Sequence, residues 1–295
     1  MAYLELRDIS AVFSGFRAVS HVNLQIDEGE LRVLIGPNGA GKTTIMDMIT
    51  GKTKPTEGHI YLNGKNITGA APYKISEVYK IGRKFQGPNI FANMTVFENV
   101  EVALRGYSSL IKTFTYRRTA ENVSKIEDIL KQINLYEYRD MISSSLSHGQ
   151  RQWLEMGMVL AQDPKIILLD EPTSGMTADE TYKTGEMIKT VMKGKTILVI
   201  EHDIDFVKQI ANKVTVLNHG EILAEGTYEE ITNNPKVISV YLKTDDELKP
   251  KEPTAEESIV AEMKKSFLHQ LHQRRRLENV RSNRCMRQLR KEPRC

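Results

Sequence analysis

Apolar and polar positions alternate from Tyr3 to Ile9 and again from Val22 to Ile26, the period-two pattern of half-buried strands. Asp27-Glu28-Gly29-Glu30 turns the chain into Leu31-Arg32-Val33-Leu34-Ile35, a short, mostly apolar run of the kind that fills a buried strand. A glycine-rich loop and a helical stretch from Lys42 to Thr50, closed by Gly51, come next. Ile60 to Leu62 with Asn63-Gly64 reads as a hairpin edge. From about Thr95 to Ser145 the pattern changes, and Tyr116 to Ile133 predicts a helix within a mainly helical insertion. Strands and helices then alternate: Ile166 to Leu169, Asp179 to Met192, Thr196 to Ile200, Ile204 to Ala211. A hairpin of Val214–Leu217 and Glu221–Ala224 around Asn218-His219-Gly220 follows. Such alternation implies a parallel sheet flanked by helices.

The chain of 295 residues, with 40% apolar and 27% charged residues, is of ordinary globular make-up. Cys285 and Cys295 both lie near the C-terminus, so no disulfide framework staples the body. Charges at Glu5, Arg7 and Asp8 interrupt any signal-peptide apolar core, and no run approaches the ~18 apolar residues of a membrane span. The expectation is a soluble, cytoplasmic protein whose membrane role, if it has one, passes through a partner. Charge is uneven: 13 Lys/Arg and 8 Asp/Glu fall between Asp246 and Cys295, against 28 and 30 in the remainder. The body is therefore near neutral, and no nucleic-acid partner is expected for it. Lys249 to Thr254 reads as a linker, which sets a body of residues 1–243 against a basic extension, 244–295, with a possible helix from Glu256 to Leu277.

Gly36-Pro37-Asn38-Gly39-Ala40-Gly41-Lys42-Thr43 fits the phosphate-loop pattern G-x-x-x-x-G-K-[ST] between a predicted strand and a predicted helix. The glycines let successive N–H groups face anionic oxygens, and the helix adds its positive end. Lys42 is expected to reach the β/γ-phosphates of ATP, and Thr43 to bind Mg²⁺. Asp170-Glu171 ends an apolar strand, which places Asp170 to hold Mg²⁺, directly or through water, and Glu171 to polarise the attacking water. Ser147 and Gln150, in Leu146-Ser147-His148-Gly149-Gln150, also fit a capping box before an apolar helix.

Taken together these segments resemble the ATP-binding subunits of ABC transporters over roughly residues 3–243. Gly36–Thr43 is similar to Walker A, Ile166–Glu171 to Walker B, and Leu146–Gln150 to the signature motif. Gln86 is similar to the Q-loop glutamine, Ser174-Gly175-Met176-Thr177 to the D-loop, and His202 to the switch histidine. Phe13 takes the place of the aromatic that stacks on adenine. The resemblance implies a P-loop NTPase of α/β class with an antiparallel β subdomain and an α-helical subdomain at about 88–160. It implies ATP contacts from Phe13, residues 36–44 including Thr44, and Ser147, Gly149 and Gln150. It places Gln86 at the metal or water, and His202 on the water and γ-phosphate.

His148 stands where the family usually has glycine, Thr177 where it has aspartate, and Phe13 where many relatives have tyrosine. A histidine at 148 either adds charge when protonated or points away. Asn93–Asn99, Ile200–Asp203 and Asn234–Leu242 resemble branched-chain amino-acid importers, and Leu146–Trp153 with Ser174–Thr177 resembles the urea-importer subunit. Urea is the expected cargo, with branched-chain amino acids or short amides as the alternative, and a soluble ABC ATPase as a more distant one. The implied partners are two membrane permeases, a second ATP-binding subunit and an extracytoplasmic substrate-binding protein. The implied location is the cytoplasmic face of the membrane.

Overall fold

A computed structural model describes residues 2–85, 89–105 and 118–240. Its two sheets share one chain order. Strands β1 (Leu4–Phe13), β2 (Phe16–Ile26), β4 (Glu57–Leu62) and β5 (Lys65–Asn66) form an antiparallel sheet in the order β2-β1-β4-β5. Strands β3 (Leu31–Ile35), β6 (Ile81–Lys84), β7 (Ile166–Asp170), β8 (Thr196–Ile200), β9 (Lys213–Asn218) and β10 (Glu221–Gly226) form the second, in the order β10-β9-β3-β8-β7-β6. All neighbours in that sheet are parallel except the β9–β10 hairpin.

Every residue of β3, β7 and β8 is buried, which explains their mostly apolar sequences. Their alternate faces feed two cores. Leu34, Ile166, Leu168, Leu198 and Ile200 pack with α1 (Lys42–Ile49) and the antiparallel sheet. Val33, Ile35, Ile167, Leu169, Ile197 and Val199 pack on the other side against the helical elements. These are α3 (Val96–Arg105), α4 (Ala120–Gln132), α5 (His148–Ala161), α6 (Ala178–Val191) and α7 (Ile204–Ile210), after the short α2 (Pro72–Glu77). A short α8 (Tyr228–Thr232) follows β10.

The α/β class read from the pattern is correct, and several boundaries move for visible reasons. β1 and β2 run on to Phe13 and back from Phe16, because bulges near Asp8 and Ser10 interrupt the alternation without ending the strands. α4 begins at Ala120 because the Thr119 side chain accepts from the Asn122 N–H, a cap that stops the helix expected from Tyr116. β6 and the short α2 carry no period clear enough to announce them, whereas α3 has helical periodicity and falls within the helical insertion expected from about Thr95 to Ser145. The expected boundary at 243/244, the extension beyond it and residues 106–117 of the insertion lie outside the described residues. Among the described residues no helix is long and apolar enough to cross a membrane.

Arg32 is the one polar interruption of β3, and its side chain is almost wholly buried. Nε donates to Glu30, Nη1 to Thr215 and Glu225, and Nη2 to the Gln25 carbonyl, so one guanidinium joins β2, β3, β9 and β10. Arg32→Met should lower stability by about 3 kcal/mol, toward the lower end for a broken buried pair because Glu225 is partly exposed. Urea unfolding followed by circular dichroism measures it.

Candidate functional site

The carboxyl ends of β3, β6, β7 and β8 lie on one edge of the parallel sheet, the edge where open α/β sheets bind ligands. At β3 the chain turns through Gly36, φ 150°, where a Cβ would sit 2.1 Å from the Leu217 carbonyl oxygen of β9. Gly41 precedes α1 in a left-handed conformation, φ 101°, with the Ala18 carbonyl too close for a side chain. α1 has no side-chain cap and no acidic residue in its first turn. The amides of Lys42, Thr43 and Thr44 are first-turn donors of the kind a helix cannot satisfy internally, and they crown a cradle for an anion. Lys42 folds back over this loop, donating Nζ to Gly36 O at 2.7 Å and Pro37 O at 3.0 Å. Burial pushes its ammonium below the ordinary lysine range, while Glu171 and Asp170 pull the other way.

Asp170 closes β7 and is 3% exposed. Desolvation raises its carboxyl above the ordinary range, and the Arg83 guanidinium, 2.9 Å from Oδ2, opposes that rise. Glu171 follows in the left-handed region, φ 45°, uncommon for a residue with a long side chain, and its N–H donates to Ile200 O at 3.0 Å. His202, just past β8, brings Nδ1 to 4.0 Å from Glu171 Oε1 and 3.9 Å from Glu201 Oε2. Glu201 is fully buried and held by the Thr173 N–H and hydroxyl at 3.1 and 2.6 Å. The turn after Glu171 and the backbone of His202, whose N–H donates to Glu201 Oε2 at 3.2 Å, are thus fastened to one carboxylate.

The capping box is formed. Ser147 Oγ accepts from the Gln150 N–H, and Gln150 Oε1 accepts from the Ser147 N–H. α6 starts beside it with a second box, Thr177 with Glu180, whose carboxylate lies where a Cβ on Gly149 would go. His148 neither faces away from the body nor stands alone: Nε2 lies 2.9 Å from the Ser174 carbonyl oxygen. Trp153 Nε1 donates to Thr184 Oγ1 at 2.8 Å, pinning the two helices together one turn further on.

The structure therefore brings Gly36, Pro37, Asn38, Gly39, Ala40, Gly41, Lys42, Thr43 and Thr44 onto the sheet edge that also carries Asp170, Glu171 and His202. It does not bring the signature residues there. Among the described residues no hydrogen bond or ion pair joins Ser147, Gly149 or Gln150 to the loop 36–43. Phe13 is exposed at the tip of the β1–β2 hairpin, with Phe16 paired opposite it and more exposed still. Gln86 lies outside the described residues. Sequence reasoning missed Arg83, Asp47, Glu201 and Thr173. Glu201 stood beside a recognised histidine, and Arg83 sat in an unrecognised strand. The Thr177-x-x-Glu180 spacing was a readable capping signal.

Comparisons with known proteins agree with this geometry. A family model described as ABC transporter matches residues 19–174, and one described as branched-chain amino acid ATP-binding cassette transporter matches 221–242. The LivG protein of Salmonella typhimurium, a high-affinity branched-chain amino acid transport ATP-binding protein, is 39% identical over 239 residues, 78% of this chain and 93% of LivG. The ADP conformation of the ATP-binding cassette MJ1267 superposes with a TM-score of 0.73 at 32% identity, covering 82% of this chain and 99% of that one. The dimeric cassette MJ0796, in a post-hydrolysis state bound to ADP and Pi, gives a TM-score of 0.65 at 29% identity, covering 76% and 98%.

Fold and site together define the ATP-hydrolysing cassette of an ABC transporter. Within that class the chain belongs to the family of ATP-binding subunits of the branched-chain amino acid type.

Because burial lowers Lys42, the unfolded chain holds that proton more tightly than the folded one, and the lysine's contribution to stability rises with pH toward the ordinary lysine range. Lys42→Met removes that rise. Its stability relative to the nucleotide-free parent should be most favourable near about pH 7 and shrink toward about pH 10, read from urea midpoints at both.

Proposed function

We propose that this chain is the ATP-hydrolysing subunit of an importer for branched-chain amino acids, acting through membrane permeases at the cytoplasmic face. The observation that carries the reading is the convergence of Lys42, Asp170, Glu171 and His202 at one sheet edge, with Ser147 bonded elsewhere. Lys42 meets the β- and γ-phosphates, Phe13 stacks on adenine, and the amides of residues 39–44 hold the phosphate oxygens. The Thr43 hydroxyl and the Asp170 carboxylate are hard oxygen donors of the type Mg²⁺ takes alongside phosphate oxygens, with Gln86 assigned to the metal or the water. That cation, when bound, neutralises charge on the phosphate oxygens. Glu171 takes the proton from water as its oxygen bonds the γ-phosphorus, and the bond to the β–γ bridging oxygen breaks to release ADP. His202 fixes the water and the γ-phosphate, held in place through Glu201 and Thr173.

Among the described residues Ser147, Gly149 and Gln150 make no hydrogen bond to this chain's own phosphate loop, and we assign them to closing over the nucleotide of a second ATP-binding subunit. The dimeric state of MJ0796 with ADP and Pi supports that arrangement. ATP buried between two chains favours the closed pair by its differential affinity for it. Phe91, Met94, Met141 and Ile142 form an exposed apolar patch, with the 91–94 and 141–143 segments hydrogen-bonded to each other. Nearby, a surface pocket of about 480 Å³ is lined by Arg83, Phe85, Asn89, Glu155 and Met158. Contiguous exposed apolar surface of this kind marks an interaction site, and we assign it to the permeases. An extracytoplasmic binding protein completes the set, and nucleic acid has no place in it.

Branched-chain amino acids replace urea as the first reading of the cargo, because the family model at 221–242 and LivG both bear that name. Urea remains a second reading on one observation. The two departures that resemble the urea-importer subunit, His148 and Thr177, lie at the same junction of α5 and α6.

Glu171→Gln should keep ATP binding while slowing hydrolysis by about 100-fold or more, the contribution of a positioned general base. Phosphate release and nucleotide retention on the same preparation check it, and unchanged turnover removes Glu171 from that role. In importers reassembled with permeases and binding protein, leucine should stimulate ATPase activity and urea should not. The reverse would establish the second reading.

A further inference from the structure

We propose that Arg83 is the positioning residue that aims Asp170, holding one carboxylate oxygen so that the other is presented to the divalent cation of the bound nucleotide. The inference rests on the reading of Asp170 as a metal-holding residue, and it adds a residue that no motif marks.

Arg83 lies on β6, opposite Leu168 of β7, so its side chain starts two residues short of Asp170 on the neighbouring strand. The guanidinium is 4% exposed, as is the Asp170 carboxylate. Nη2 donates to Asp170 Oδ2 at 2.9 Å, while Nη1 donates to Asp47 Oδ1 on α1. Asp47 is itself held from outside, with Lys52 Nζ at 3.2 Å from Oδ2. The Arg83 Cζ also sits 4.8 Å over the ring of Phe85, the residue before Gln86. One planar group therefore touches the end of β7, the helix that follows the phosphate loop, and the strand exit toward residue 86.

Two features separate aiming from simple ion pairing. Arg83 Nε is buried with no hydrogen-bond partner among the described residues, so the orientation of the guanidinium serves the two carboxylates through Nη1 and Nη2 and leaves the Nε–H unmet. The contact also uses a single oxygen of Asp170 instead of clasping both, which is the geometry that leaves a carboxylate edge for another cation. A guanidinium has the rigid fork needed to span Asp47 and Asp170 at once, whereas an ammonium meets them only as a point charge.

The test uses the full chain, Mn²⁺ in place of Mg²⁺, and ADP. Metal retention is read from the loss of the free Mn²⁺ paramagnetic signal, and ADP affinity is measured separately in EDTA. Arg83→Met should weaken Mn²⁺ retention with ADP by about tenfold or more and leave metal-free ADP affinity within about twofold, the scale on which residues supporting a metal ligand act. Arg83→Lys should recover only part of the loss, and Asp47→Asn should shift retention in the same direction by less. Unchanged retention in Arg83→Met, with only its melting temperature lowered, would overturn the proposal. Tighter retention would also overturn it, because Arg83 would then be competing with the cation. Should Arg83→Met fail to fold, unchanged retention in Asp47→Asn overturns it instead. A parent chain that holds no Mn²⁺ with ADP removes the metal role of Asp170 and this inference together. A parent that holds it equally well with or without Arg83 removes the inference alone.

Discussion

Lys42 carries its positive charge into a site it shares with Asp170 and Glu171, and neither sign would be stable there without the other. The lysine is 9% exposed and the aspartate 3%. Burial disfavours both charged forms, and their mutual attraction, with Arg83 on the far side of Asp170, opposes that cost. The three parallel strands β3, β7 and β8 exist, in functional terms, to bring these groups to one edge. Their mostly apolar sequences bury both faces of the sheet, and apart from the internally paired Arg32 they leave polar chemistry to the strand ends. Nucleotide phosphates add negative charge to this edge, where first-turn amides and a lysine already curled over the loop are waiting for it.

How far the sequence discloses this depends on whether the signal is periodic. β3, β7 and β8 were legible because burial on both faces writes a short, mostly apolar run. The phosphate loop was legible because its glycines are demanded by geometry, as at Gly36 against Leu217 O. β6 was not legible. Half of its four residues are Arg83 and Lys84, which leaves too few apolar positions to mark a strand. Both are in fact buried, one against Asp170 and Asp47 and the other against Glu155, whose Oε2 lies 3.7 Å from the Lys84 ammonium. Paired charges across distant elements leave no local trace, so the strand that carries them was the one missed. Glu201 escaped for a related reason: its partner Thr173 lies 28 residues away.

The cargo illustrates a different limit. An ATPase subunit does not touch what is transported, so its residues hold no chemical record of cargo, and resemblance alone assigned urea. The family model and LivG carry the name of branched-chain amino acids instead. The departures that suggested urea have a local physical meaning that is independent of cargo, since His148 and the Ser174–Thr177 turn make one junction between α5 and α6.

That junction sets two positions against each other across a short gap. Gly175 has φ 74°, and a Cβ on it would stand 3.0 Å from the ring nitrogen of His148. The bare α-carbon at 175 is thus required by its own backbone, and a side chain there would also crowd the imidazole across from it. A small residue at 148 would relieve only the crowding by the ring, because the conformational demand belongs to the backbone at 175 itself. Glycine at 175 is therefore set by its own turn, and the imidazole at 148 occupies the space that glycine leaves open.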